Sequence, residues 1–265
     1  MSLHQTDRTP VSRPVLHMTA GIAPGGCGRV VRATVLFAVL LCGATGAARA
    51  EVCNARFFHN GGAIEIVGSG VVTVSAKLDF SKVSKTSAEV CQAQVNGNAS
   101  YALMGFLGGS TDVDHLMRVN GLTTSLTKSD AGPGPDAASL DLRMFSLFGY
   151  GVPIRSVGQR LPAQAFKILL GPADKPTTPM VVRTGEKTVG TRQAIQTALG
   201  QQSCWPVRYD RNTDPTMANI RGVTLPVPAI QSRVTDWFCP TVNLVMKQEI
   251  EQSGQRAVIE VTSVK

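Results

Sequence analysis

Between Val72 and Phe80, apolar Val72, Val74, Ala76, Leu78 and Phe80 alternate with Thr73, Ser75, Lys77 and Asp79. A period of two sets the apolar side chains on one face of an extended strand and the polar ones on the other. The preceding run, Ala63 to Val67, is separated from it by Gly68-Ser69-Gly70, a glycine-bearing turn that suits a hairpin. Val90 to Val95 and Tyr101 to Leu107 read as further strands around an Asn96-Gly97-Asn98 turn.

The last third continues in the same manner. Val181 to Thr184, Thr188 to Ala198, Cys204 to Tyr209, Ile230 to Phe238, Leu244 to Glu251 and Ala257 to Val264 read as strands, with Ser253-Gly254 closing the final hairpin. Pro226 and Pro228 cannot donate to a ladder, so that stretch is an edge or a connection. Leu140 to Phe148 fits a helical stripe and a strand equally well. No longer helical stripe interrupts the pattern, which favours an antiparallel sheet over a parallel α/β fold. From Ser129 to Ala138 the glycines and prolines of Ser-Asp-Ala-Gly-Pro-Gly-Pro-Asp-Ala-Ala cannot hold regular structure, which places a loop or linker there.

The N-terminal region reads as a secretory signal. Arg29 and Arg32 precede an uncharged apolar run, Ala33 to Leu41, too short to span a bilayer. Small residues follow, ending in Ala48-Arg49-Ala50, an A-x-A cleavage site. The mature chain is expected to begin at Glu51, with Met18 a better-proportioned start than Met1. Leu41 before Cys42 does not suit a lipoprotein signal, so a soluble mature form with no integral membrane segment is expected. Five of the 26 basic residues and one of the 18 acidic residues lie in positions 1–50, which leaves the mature chain at a net charge of +4. Its charges are interspersed and form no stripe that could track phosphates, so nucleic acid is not an expected partner.

Removing 1–50 also removes Cys27 and Cys42, leaving Cys53, Cys91, Cys204 and Cys239 for an oxidising compartment. An even number there reads as disulfides. Several connectivities are open to them. Sequential pairing, Cys53 with Cys91 and Cys204 with Cys239, closes each half of the chain locally and is the one expected. A metal site lacks clustered ligands, since only His59 and His115 remain and no C-x-x-C occurs.

Catalytic motifs are weak. His115 follows Ser110-Thr111-Asp112-Val113-Asp114, the residue types of a Ser/His/Asp hydrolase, but Gly108-Gly109-Ser110 lacks the following glycine of a nucleophile elbow, and an exposed loop histidine is the better reading. Asp112 and Asp114 lack the glycine and terminal glutamate of a calcium loop. Glu249 and Glu251 share a strand face that reads as solvated. No phosphate-binding loop, cofactor motif or catalytic residue is assigned. Trp205 and Trp237, each close to a cysteine of the C-terminal pair, read as core aromatics with a ligand-stacking platform as the alternative.

The C-terminal motifs are Gly185-Glu186-Lys187-Thr188-Val189, Cys204-Trp205-Pro206-Val207-Arg208-Tyr209, Val234-Thr235-Asp236-Trp237-Phe238-Cys239-Pro240, Asn243-Leu244-Val245 and Gln248-Glu249. Over residues 150–265 the chain resembles a family of uncharacterised exported bacterial proteins with curved antiparallel sheets, similar in outline to the half-barrels that carry lipoproteins across the periplasm. Cys239 departs from that pattern, where a small residue is usual. In such a family the run from Thr235 to Pro240 and the following Asn-Leu-Val mark two adjacent strands.

The expectation is therefore a mainly β chain, a curved antiparallel sheet or half-barrel with few short helices and two disulfides. It divides into a signal peptide (1–50), an N-terminal β-hairpin region (51–128), a Gly/Pro-rich loop (129–139) and a C-terminal antiparallel region (140–265). The expected role is a periplasmic or secreted, non-enzymatic protein binding an apolar or acylated envelope component on the curved sheet, with Val72, Val74, Leu78, Trp205 and Trp237 as the binding residues. The competing roles are an envelope scaffold acting through surface contacts and a hydrolase built around His115.

Overall fold

A computed structural model describes residues 52–70, 72–103, 107–120, 123–128, 150, 153–168, 179–220 and 223–265. The signal segment, the loop at 129–139 and the ambiguous run Leu140 to Phe148 lie outside the described residues.

After a 3-10 turn, Val52–Asn54, the N-terminal strands are β1 (Gly62–Gly70), β2 (Val72–Lys85), β3 (Val90–Leu103), β4 (Leu107–Asn120) and β5 (Thr123–Lys128). Short pieces follow: β6 (Arg160–Leu161), β7 (Gln164–Ile168), β8 (Met180–Thr184), β9 (Lys187–Val189) and β10 (Gln193–Thr197). The rest is β11 (Gly200–Thr213), β12 (Thr216–Ile220), β13 (Val223–Val227), β14 (Ile230–Cys239), β15 (Leu244–Gln252) and β16 (Gln255–Val264). The main path of the sheet runs β5-β4-β3-β2-β1-β16-β15-β14-β11-β8-β7, with β9 and β10 also on β11, β6 on β9, and β12–β13 apart as a two-stranded hairpin. Every pairing is antiparallel. The sheet is curved but not closed, and β5 and β7 stand at its two ends.

The alternation in β2 is realised as read. Val74, Ala76, Leu78 and Phe80 are buried while Thr73, Ser75, Lys77 and Asp79 are exposed. Register carries the buried set across the sheet: Leu78 lies opposite Ile64, Ala76 opposite Ile66 and Ala99, and Phe80 opposite Val95. The row passes through β16 by way of Ile66 opposite Val261 and continues to β15, where Ile250 faces Ala257. Burying this face supplies the main driving force for the fold, at about 25 cal/mol per Å² of apolar area. Ladder irregularities at Glu65/Ile66, Ser81/Ser84 and Trp237/Phe238 add local twist, which bends the sheet over its own core.

Both disulfides pair as expected. Cys53 joins the N-terminal turn to Cys91 at the start of β3, and Cys204 joins Cys239 across the β11–β14 ladder. Ser253-Gly254 turns the last hairpin with both residues at positive φ, as the tight hairpin geometry demands.

Three local expectations are corrected. Asn96-Gly97-Asn98 is no turn, for β3 runs through it and Gly97 lies opposite both Leu78 and Val113. A Cβ on Gly97 would sit 2.0 Å from the Lys77 carbonyl oxygen, so the glycine is there for close backbone approach. Thr188 to Ala198 is two short strands, interrupted where the Gly190 amide turns aside to bond the Pro206 carbonyl at 2.7 Å. His115 is not on an exposed loop. It is a half-buried member of β4, opposite Val95.

Candidate functional site

Extended strands alternate faces, so a charged residue at an apolar position is driven into the interior. Lys187 and Val189 share a face of β9, and Val234 and Asp236 share a face of β14. Val207 lies opposite Val189 on one side and Asp236 on the other, and Asp236 lies opposite Gln248. Lys187, Asp236 and Gln248 are 4%, 0% and 1% exposed, which places a cation, a carboxylate and an amide inside the C-terminal half of the sheet.

Tyr150 ties them together. Its hydroxyl donates to Asp236 Oδ2 at 2.6 Å, and Gln248 Nε2 donates to Asp236 Oδ1 at 2.8 Å, so both carboxylate oxygens are engaged. The Lys187 ammonium lies 4.9 Å from the ring centroids of both Tyr150 and Tyr209, close enough for cation–π attraction to each. Its hydrogen bond goes to the side-chain oxygen of Gln164 at 3.2 Å, and Gln164 is an exposed residue of the end strand β7. Among the described residues, Gln248 Oε1 and Trp205 Nε1 are buried with no hydrogen-bond partner.

The electrostatics follow from burial. Desolvation pushes the Lys187 ammonium below its ordinary value of 10.5, and the Asp236 charge offsets part of that. Burial also raises the Tyr150 phenol well above 10.0, reinforced by the Asp236 charge, by Tyr209 and by the hydrogen bond to Asp236. Tyr150 is therefore held as a proton donor.

The expected binding residues do not form one surface. Val74 (3% exposed) and Leu78 (0%) belong to the large core cluster, and the side chain of Val72 lies outside the described set. Trp205 is buried in a second cluster with Tyr150, Val207 and Phe238, and the Arg192 guanidinium covers its ring at 4.5 Å. Register pairs Trp205 with Phe238 and Pro206 with Trp237, so the two tryptophans lie on opposite faces. Trp237 packs against the cluster that holds Cys204 and Cys239.

Asp114 and His115 are neighbours in an extended strand and leave it on opposite faces. Asp114 accepts from Gln94 and Asp112 from Asn98, both across the β3–β4 ladder. Glu249 is bonded to Lys247 (3.2 Å) and Arg256 (2.6 Å), a surface charge network on the solvated side of the sheet. Among the described residues no group of three or more His, Cys, Asp or Glu is gathered for a metal, and no helix is long and apolar enough to cross a membrane.

No family model and no curated protein matches the chain. Solved structures do share its outline. A protein from Bacteroides fragilis, provisionally described as exported and with a YmcC-like fold, is 11% identical, with 80% of this chain and 99% of that one covered and a TM-score of 0.42. A provisionally described lipoprotein from Parabacteroides distasonis is 14% identical over the same shares, with a TM-score of 0.44. The hypothetical lipoprotein YmcC from Escherichia coli is 8% identical, over 77% of this chain and 85% of that one, with a TM-score of 0.34. Two formed disulfides place the folded chain in an oxidising compartment, the periplasm or the cell exterior.

Proposed function

We propose that this protein is an exported, non-catalytic binding protein that holds an apolar or acylated ligand on the inner side of its curved sheet, with the ligand's polar end at the Tyr150–Lys187–Asp236 cluster. The observation that carries the reading is the burial of Lys187 and Asp236, 4% and 0% exposed, within the C-terminal half of the sheet. Burying charges costs several kcal/mol per ion and adds little stability even when they are paired, so such a cluster calls for a role beyond holding the fold.

Mass spectrometry of the protein purified natively from the envelope, paired with uptake of a fluorescent fatty acid, tests the reading. Co-purifying lipid and saturable uptake are expected. A folded protein that carries none and takes up none overturns it. Leu78→Lys is the control for core collapse: it should lower the melting temperature sharply, and uptake should fall only as far as folding does.

An envelope scaffold is the second reading, favoured by the β12–β13 hairpin. Among the described residues it pairs with no other strand, and Met217 and Leu225 are each 41% exposed. Replacing both with serine would leave lipid uptake intact and abolish partner capture if the hairpin is a contact surface.

A further inference from the structure

Resting on the reading of the β12–β13 hairpin as a contact surface, we infer that its partner is a second copy of this chain, joined by antiparallel pairing of the two β12 strands about Ala218. A two-stranded hairpin is marginal in water and gains stability from a third strand or a packed face. Among the described residues this one has no third strand, and it leaves Met217 and Leu225 each 41% exposed. Register sets Met217 opposite Pro226 and Leu225 opposite Ala218, so the two exposed apolar residues fall on opposite faces. A partner packed on one face would leave the other wet, whereas a strand added at the edge extends both.

The two edges of the hairpin differ. β13 holds Pro226 within the strand and Pro228 just after it, and proline has no N–H to offer a neighbouring strand. β12 reads Thr-Met-Ala-Asn-Ile, with neither proline nor charge, the devices that turn added strands away. At the β7 end of the main sheet, by contrast, an exposed lysine, Lys167, lies within the edge strand.

Charge selects both the occupant and the direction. Between Thr216 and Val227 the one charged residue is Arg221, and Asp214 precedes β12. Antiparallel pairing about Ala218 sets Thr216 opposite the partner's Ile220. One step further out, Arg221 comes level with the partner's Pro215, beside the partner's Asp214. Twofold symmetry makes that meeting occur twice, while parallel pairing would set Arg221 against its own copy. The side chain of Asp214 is 42% exposed and holds Arg183 at 2.8 Å, and a carboxylate has acceptor capacity for a second cation. Five residues of strand fall short of the roughly 1,000 Å² that a stable interface buries, so the dimer is weak and depends on concentration.

Sedimentation equilibrium of residues 51–265, with cysteine cross-linking, tests the inference. The apparent mass should climb toward that of two copies as concentration rises. Paired Cα atoms on antiparallel strands lie about 4.5–5.5 Å apart, within reach of a disulfide, so Ala218→Cys should form covalent dimer about tenfold or more faster than Thr224→Cys on exposed β13. Arg221→Glu should weaken association about fivefold or more, because both symmetric pairs turn repulsive. A wild type that stays monomeric at every concentration overturns the inference, as does faster cross-linking at 224 than at 218. An unchanged dimer in Arg221→Glu overturns the register. Should the variants fail to fold, hydrogen exchange on wild type decides: protection of residues 216–220 that rises with concentration supports the pairing, and protection independent of concentration refutes it. If wild type is monomeric but serine at 217 and 225 still abolishes capture of another envelope component, the contact reading stands and the second copy falls.

Discussion

Tyr150 and Asp236, 86 residues apart in sequence, meet in a 2.6 Å hydrogen bond in which the phenol donates to a carboxylate with no solvent exposure. The second carboxylate oxygen is held by Gln248. Tyr150→Phe keeps the ring against Phe238 and removes the donor alone, so it should destabilise the fold by about 1–3 kcal/mol. Asp236→Leu should cost more, because it also leaves the buried Lys187 without its neighbouring negative charge. Urea denaturation of each single variant and of Tyr150→Phe with Asp236→Asn, combined as a double-mutant cycle, measures the coupling. Additive losses would show that the pair does not act as a unit.

Stability should depend on pH through Lys187 and Tyr150. Lys187 faces the rings of Tyr150 and Tyr209, the amide of Gln164 and the charge of Asp236. Its folded-state pKa is depressed below 10.5, so the unfolded chain binds the proton more tightly. The full cost of burying the ammonium is present below the folded pKa and is relieved as pH rises from there to 10.5. Tyr150 acts oppositely: its pKa is raised above 10.0, so the unfolded chain ionises first and stability falls above that pH. Melting temperatures across the alkaline range should rise and then decline. Lys187→Met should flatten the rising limb and Tyr150→Phe the declining one.

The disulfides close segments of 38 and 35 residues, for which the chain-entropy model gives about 4 kcal/mol apiece. The two should not respond alike. Cys204–Cys239 links residues on neighbouring strands of a long ladder, and replacing both by alanine should lower stability while leaving β11 and β14 paired. Cys53–Cys91 tethers the N-terminal turn beside buried Phe57 and Phe58, so its loss should release that segment first. Hydrogen exchange on both double-alanine variants checks this. Loss of protection in β11 before residues 52–58 would contradict it.

Gly97→Ala should destabilise by more than about 1 kcal/mol, since the new methyl would press on the Lys77 carbonyl in mid-ladder. Gly254→Ala, at φ 76° in an open turn, meets nothing within 4 Å and should cost less than Gly97→Ala. Thermal melts of the two give the comparison directly, and equal losses would mean that Gly97 is chosen for its φ and not for the approach of β2.

The strands that could be read from the sequence are those with an exposed side. β2 and β16 alternate because one face meets water, as do β14 up to Phe238 and β15 from Met246 onward. β3 and β4 were obscured by glycine and asparagine, which mark turns in isolation but here serve close packing between long strands. The cysteine pairing was legible because each pair bounds its own set of strands. The polar cluster was not. Its mark was present, a lysine in phase with Val189 and an aspartate in phase with Val234, but alternation alone does not reveal that Tyr150 covers both from a distant part of the chain.

β1 pairs on one side with β2, its neighbour in sequence, and on the other with β16, where Thr262 bonds the Glu65 carbonyl across 197 residues. Synthesis runs from the N-terminus, so the second edge of β1 stays open until β16 has been made. Throughout that interval Ile64 and Ile66 lack the strand that completes their cover, which invites pairing with other chains. The sheet can be sealed there only after β16 arrives, so the middle of the sheet is completed by the last of the described strands.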